Sequence, residues 1–116
     1  MSGKKQTILV ADPESDFIAW VRKHLETPQI RVLSATRADE ALNLFLEAAP
    51  DLVIADMHLQ PFGGLELLTR IRAADPNAVV VLISGYGTTQ SVIESMKLGA
   101  FDFVRKEALT FNLKVV

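Results

Sequence analysis

One feature constrains this chain more than any other: short apolar runs alternate with longer amphipathic stretches over its whole length. Residues 8–11 read as a buried strand. Residues 14–26 follow with Phe17, Trp20, Val21 and Leu25 at helical spacing on one face, and Pro28 ends that helix. Residues 30–35 are a second strand. Residues 38–48 are a second helix, with Ala41, Leu42, Leu44, Phe45 and Ala48 facing inward and Pro50 as the stop. Residues 52–55 are apolar on both faces, which places that strand in the middle of a sheet. A Gln-Pro-Phe-Gly-Gly loop at residues 60–64 leads into a third helix over 65–74, carrying Leu65, Leu67, Leu68 and Ile71. Residues 78–83 are the strongest strand signal. Gly85-Tyr86-Gly87 is a turn, and Thr88 or Thr89 caps a helix that runs to Leu98 and ends at Gly99. Residues 101–104 form a short fifth strand, and 109–116 look like the opening turns of a fifth helix.

Strands that alternate with helices of this length pair in parallel through right-handed crossovers. The expected fold is therefore α/β: a (βα)5 unit, doubly wound and flavodoxin-like, with a five-stranded parallel sheet of order 2-1-3-4-5. Residues 1–116 suit one domain, and 49% apolar content is enough to bury a core. The fifth helix looks truncated at Val116, so the chain is read as a fragment of a longer protein. There is no Cys, which excludes disulfides and thiolate metal sites. The formal charge of −2 argues against nucleic-acid binding by the chain's own surface. The apolar run after Lys4-Lys5 is too short for a membrane span, so the expected setting is cytoplasmic.

In an open parallel sheet, ligands sit beyond the carboxyl ends of the strands at the topological switch point. The residues just past those ends are Asp12-Pro13-Glu14 after strand one, Asp56-Met57-His58 after strand three, Ser84 after strand four and Lys106 after strand five. Three carboxylates, a hydroxyl and an ammonium should converge there. Crowded carboxylates call for a hard cation such as Mg²⁺, while Lys and Ser suit phosphate oxygens.

Four blocks then resemble one family. Asp-Leu-Val-Ile-Ala-Asp-Met-His-Leu ending at Leu59, Pro61 with Gly63-Gly64-Leu65-Glu66-Leu67-Leu68, Ile83-Ser84-Gly85-Tyr86-Gly87, and Gly99-Ala100-Phe101-Asp102-Phe103-Val104-Arg105-Lys106 are similar, in order, to response-regulator receiver domains. The resemblance covers essentially the whole chain. It implies that Asp56 accepts a phosphoryl group from a histidine kinase or phosphotransfer protein. It also implies that Asp12, Asp56 and the backbone carbonyl of His58 bind Mg²⁺, that Ser84 and Lys106 contact the phosphoryl group, and that Ser84 and Phe103 act as switch residues. Autophosphorylation and autodephosphorylation are the only catalysis it implies. The segment from Phe101 to Glu107 looks most like receivers attached to bacterial transcription activators, which implies an output domain outside this chain. The signalling and homodimer surface implied is helix four, strand five and helix five, with Met96, Ala100, Phe103 and Arg105 as members.

Two residues depart from the family pattern. Receivers carry two adjacent acids after strand one, and the second binds the metal. The first inward apolar residue falls four positions after that second acid. Phe17 falls four after Pro13, so Pro13 occupies the metal-binding slot, and Glu14 is the only nearby acid able to substitute. Glu107 stands where the family has a proline after the lysine, whose peptide is cis there. A trans peptide is expected here. These departures support an alternative: a degenerate receiver that serves as a phosphorylation-independent interaction module.

Simpler readings accompany each residue. Asp12, Pro13 and Glu14 also make a good helix start, with Asp12 as N-cap and Pro13 at the first helical position. Phe103 reads equally as packing. Trp20 and Phe45 read as core and His24 as a solvated helix-end residue. Gly85-Tyr86-Gly87 lacks the third glycine of a dinucleotide loop, with Gln90 in its place. An enzyme on this fold has little support, since no base–nucleophile pair is visible.

Overall fold

A computed structural model describes residues 5–85 and 87–108. Nine elements follow one another: β1 (Gln6–Ala11), α1 (Ser15–Leu25), β2 (Ile30–Ala35), α2 (Ala38–Ala48), β3 (Leu52–Asp56), α3 (Gly64–Ala74), β4 (Val80–Ser84), α4 (Thr89–Lys97) and β5 (Asp102–Arg105). The strands form one parallel sheet of order β2-β1-β3-β4-β5. This is the expected (βα)5, flavodoxin-like topology. The fifth helix expected over 109–116 lies outside the described residues.

The period-2 alternation of strand side chains builds two cores, one on each face. Leu9, Ala11, Val53, Ala55, Val80 and Leu82 point to one face, where α2 and α3 cover them with Ala41, Phe45, Leu67, Leu68 and Ile71. Ile8, Val10, Val32, Ile54 and Ile83 point to the other, against Phe17, Ile18 and Val21 of α1. Each buried Leu, Ile or Phe contributes roughly 1.5–3 kcal/mol of transfer free energy. Strand β3 is buried at Val53, Ile54 and Ala55, as an apolar central strand should be.

The caps follow the sequence with one exception. Thr88 accepts the Ser91 N–H at 3.0 Å at the start of α4. Gly99 takes φ +99° after that helix, a conformation that suits a residue without Cβ. At α1, however, the N-cap is Glu14 and not Asp12. Asp12 Oδ1 accepts the Glu14 N–H at 2.8 Å, closing a local turn before the helix begins at Ser15. The carboxylate is thereby held at the sheet edge. Strand β4 begins at Val80 rather than Ala78, because the Ala78 N–H bonds back to Asp75 in a turn. Trp20 is half-buried, not core: its ring stacks on Phe17 with centroids 5.7 Å apart, and the exposed His24 lies over it at 4.5 Å. Phe45 is in the core as expected.

Candidate functional site

The crossover from β1 goes to β2 on one side of the sheet, while β3 lies on its other side. Chain connections diverge between β1 and β3, which opens a crevice beyond their carboxyl ends. Asp12 follows β1 and has no solvent exposure, and Asp56 is the last residue of β3 and is 4% exposed. Burial of two carboxylates so close together demands positive charge. It comes from the far edge of the sheet. Lys106, just past β5, reaches across β4 and sets its Nζ 2.8 Å from Asp12 Oδ2 and 3.0 Å from Asp56 Oδ2. A third carboxylate, Glu14 Oε1, stands 3.0 Å from the same nitrogen. From below, the Phe17 ring offers its face, with its centroid 4.8 Å from Nζ.

The remaining carboxylate oxygens are taken by the backbone. Asp56 Oδ1 accepts the His58 N–H at 2.6 Å, and Asp12 Oδ1 accepts that of Glu14. The turn after β3 is held by the Met57 N–H on Ile83 O and the Gly64 N–H on Met57 O. Burial pushes the Asp12 carboxyl above its ordinary range; Lys106 and the Glu14 N–H oppose this, and the charge of Asp56 adds to it. For Lys106, burial alone would lower the pKa, but hydrogen bonds to Asp12, Glu14 and Asp56 outweigh it and raise the ammonium above its ordinary value. The two directions agree physically. Asp12 shares one ammonium, whereas Lys106 gathers three carboxylates.

Pro13, Glu14, Asp56, His58, Gly85 and Lys106 line the open cleft over this cluster. Next to it lies a second cavity of about 140 Å³, open to solvent and lined by Met57, His58, Ser84, Gly87, Thr88, Ser91 and Phe103. The structure thus brings together Asp12, Glu14, Asp56 and Lys106 with His58 beside them. Ser84, fully buried, and Phe103, half-buried, line the adjoining cavity. Among the described residues the cis peptide is Gln60–Pro61, and Lys106–Glu107 is trans, as expected without the proline. Ala100 is buried at 7% and cannot contribute to a docking surface, whereas Met96 and Phe101 are exposed. Ala100 faces inward because the β5 approach packs it into the α2–α3 core. Sequence reasoning missed Phe17 as a neighbour of the site; it carried only a core signal. It also missed Gly64, where a Cβ would stand 2.6 Å from Asp56 O, and Gly87, where a Cβ would meet the tip of the Phe103 ring at 2.8 Å.

A strand-end Asp buried at a switch point, with a Lys from β5 across it, is the arrangement that the four sequence blocks implied. Residues 8–114 match the model of the response regulator receiver domain. The chain belongs to that family. It is 37% identical over 111 residues to the nitrogen assimilation regulatory protein NtrX of Azorhizobium caulinodans, covering 94% of this chain and 24% of that one. It is 31% identical over 107 residues to the hydrogenase transcriptional regulatory protein HoxA of Cupriavidus necator, covering 91% and 22%. Receivers of this kind thus span about a quarter of the length of the curated relatives matched. Among solved structures, a response regulator protein from Burkholderia pseudomallei with a phosphorylated aspartic acid, calcium ion and citrate superimposes with a TM-score of 0.81. It is 25% identical, and the match covers 91% of this chain and 65% of that one.

Receiver domains generally bind Mg²⁺ for phosphorylation. The donors of this cluster are hard oxygens, and three carboxylates against one ammonium leave excess negative charge. By geometry the fit fails. Pro13 supplies no side-chain oxygen. The Oδ2 atoms of Asp12 and Asp56 both turn to Lys106, and their Oδ1 atoms both accept backbone N–H groups. Among the described residues no group of three or more His, Asp or Glu side chains is disposed to hold a metal ion. In this arrangement the cation at the centre of the carboxylates is the ammonium.

Proposed function

We propose that this receiver takes a phosphoryl group on Asp56 from the phosphohistidine of a kinase or phosphotransfer protein. The observation that carries the reading is the buried Asp56 carboxylate, fixed on one oxygen by the His58 N–H and on the other by Lys106. A carboxylate oxygen attacks phosphorus, the phosphorus–nitrogen bond breaks, and its electron pair leaves on the imidazole. The product is an acyl phosphate, and Lys106 neutralises charge as it develops on the phosphoryl oxygens.

The new group carries about 1.5 to 2 negative charges at neutral pH. Ser84 ends the neighbouring strand β4, and in this reading its hydroxyl hydrogen-bonds the new group. As Ser84 moves toward the phosphoryl group, Phe103 turns inward into the cavity the two residues share. The changed α4–β5 face is the message, read by an output module outside this chain and by a second receiver. Val92, Ile93, Met96, Leu98 and Phe101 are its exposed apolar side chains. The names of the relatives support a regulatory, transcriptional output, and a cytoplasmic setting goes with it. Among the described residues no helix is long and apolar enough to cross a membrane.

A second reading has its own support. Pro13 in the metal slot and the Lys106 ammonium seated among the carboxylates favour an interaction module that works without phosphorylation. Intact-protein mass after incubation with acetyl phosphate and Mg²⁺, beside an Asp56→Asn control, separates the two. The first reading expects a gain of one phosphoryl group, absent from the control. A folded protein that gains nothing is the interaction module.

A further inference from the structure

We infer that Arg22 and Glu26 of α1 form a clasp over the free edge of the sheet at β2, and that this clasp keeps β2 from pairing with β2 of a second copy of this chain. The clasp owes nothing to Asp56, which ends β3 nearer the middle of the sheet.

An edge strand presents a row of unpaired N–H and C=O groups, which is a template for another strand. Among the described residues β2 has β1 on one side and no strand on the other. The carbonyls of Gln29 and Ala35 accept the N–H groups of Gln6 and Asp12, so the odd-numbered positions of this stretch turn toward β1. By alternation the main-chain groups of Ile30, Val32 and Ser34 turn outward. Side chains of α1 meet them there. Val32 donates its N–H to Glu26 Oε2 at 3.1 Å, and its carbonyl accepts from Arg22 Nη1 at 2.9 Å. Arg22 Nη2 donates to Ser34 Oγ at 2.9 Å. One turn of helix separates the two clasp residues, and their charged ends stand 3.8 Å apart. Their side chains are 38% and 39% exposed, and an ion pair so open to water adds little to stability. Closing the edge accounts for the arrangement better than stability does.

The occupant that this edge fits is another copy of itself. Antiparallel pairing about a two-fold axis sets Val32 of one copy opposite Ser34 of the other, and such pairs exchange two N–H···O bonds each. Those bonds need the Val32 groups that Glu26 and Arg22 occupy. The stretch released by opening the clasp is short. Thr27 holds both main-chain groups of Ile30 at 3.1 Å on one side of it, and Glu40 Oε1 accepts the Thr36 N–H at 3.1 Å on the other.

Sedimentation of the wild type beside the double variant Arg22→Ala with Glu26→Ala tests this. Removing the clasp should tighten self-association on the order of tenfold over the wild type, the worth of one or two hydrogen bonds. A folded double variant that associates no more tightly than the wild type overturns the inference. Amide exchange at Val32 locates the contact. In dilute protein the exchange should be on the order of tenfold faster in the double variant, since the bond to the Glu26 carboxylate is gone. Protection should return as its concentration rises. Association that leaves Val32 unprotected runs through another surface and overturns the inference as well. Adding Ser34→Pro to the double variant gives a further check, because proline is tolerated where an edge N–H faces outward and denies that N–H to a partner strand. Association should then fall back to the wild-type level. Should the double variant fail to fold, Arg22→Ala alone is measured, and wild-type association with unchanged Val32 exchange there overturns the inference.

Discussion

Asp12 and Asp56 stand at the ends of strands in the middle of the sheet, one just past β1 and one closing β3, whereas Phe103 sits on a four-residue strand at its edge. Strands β1 and β3 are flanked on both sides and packed on both faces, and their last residues have nowhere to go. At the other end, β5 has a neighbour on one side only, its end residues are exposed, and α4 has Ser95 as its one buried residue. On the proposed reading, the chemistry stands on the rigid part and the response on the part with the least holding it. Lys106 belongs to both, since it leaves the loose edge to bind the rigid centre. Local stability varies across a fold in this way, and switching elements are drawn from its weak end.

Two glycines separate centre from edge most sharply. A methyl group on Gly64 would press on backbone, 2.6 Å from Asp56 O and 3.0 Å from Met57 Cα, with no side chain to give way. Gly64→Ala should cost roughly 3 kcal/mol or more in urea unfolding and disturb the Asp56 turn. Gly87→Ala meets only the end of the Phe103 ring, which can swing aside, and should cost less than about 1 kcal/mol while shifting Phe103 resonances. Similar costs for the two would remove the contrast between centre and edge. Next in size is a pair of truncations. Leu67→Ala empties a fully buried site under β3 and should cost about 3 kcal/mol. Phe103→Ala removes a half-buried ring at the edge and should cost about 1 kcal/mol, with more effect on the response to phosphorylation than on stability.

Pro13→Asp returns an acid to the metal slot and should tighten Mg²⁺ on the order of tenfold in titration. No change would show that the slot has been assigned to the wrong residue.

The smallest effect expected concerns pH. The Asp12 carboxyl is raised from 3.8 in the folded protein by burial, so the native state holds this proton more tightly than the unfolded chain does. Its contribution favours folding below the ordinary value and is lost as pH climbs through the raised one. At pH 7 the wild type therefore carries a cost that Asp12→Asn relieves. That advantage should shrink as the pH falls through the raised pKa toward 3.8. Urea midpoints measured across this range check the sign; an Asn variant less stable at pH 7 would mean that the ion pair with Lys106 outweighs the burial.

Much of this molecule is legible in its residues. The helix over 38–48 and the strand over 30–35 are found at the bounds expected, because Pro28 and Pro50 punctuate them and the apolar spacing is clean. The strand ends that carry Asp12, Asp56 and Ser84 follow from the same rhythm, since a βα unit delivers those residues to one edge wherever the sheet closes. Less legible were features in which a side chain chose between local partners. Asp12 reads in sequence as a helix cap, yet its backbone-facing oxygen closes a turn and its other oxygen faces Lys106.

By itself, then, the sequence determined the element order, the two-faced core and the family, because periodicity and punctuation are local properties of the chain. Only the tertiary structure decided that Lys106 crosses from the sheet edge to stand among Asp12, Glu14 and Asp56 over the ring of Phe17. Residues 92 positions apart meet there. No spacing rule predicts which counter-charge a buried carboxylate will recruit, since that is settled by the cost of leaving it unpaired once the sheet has closed.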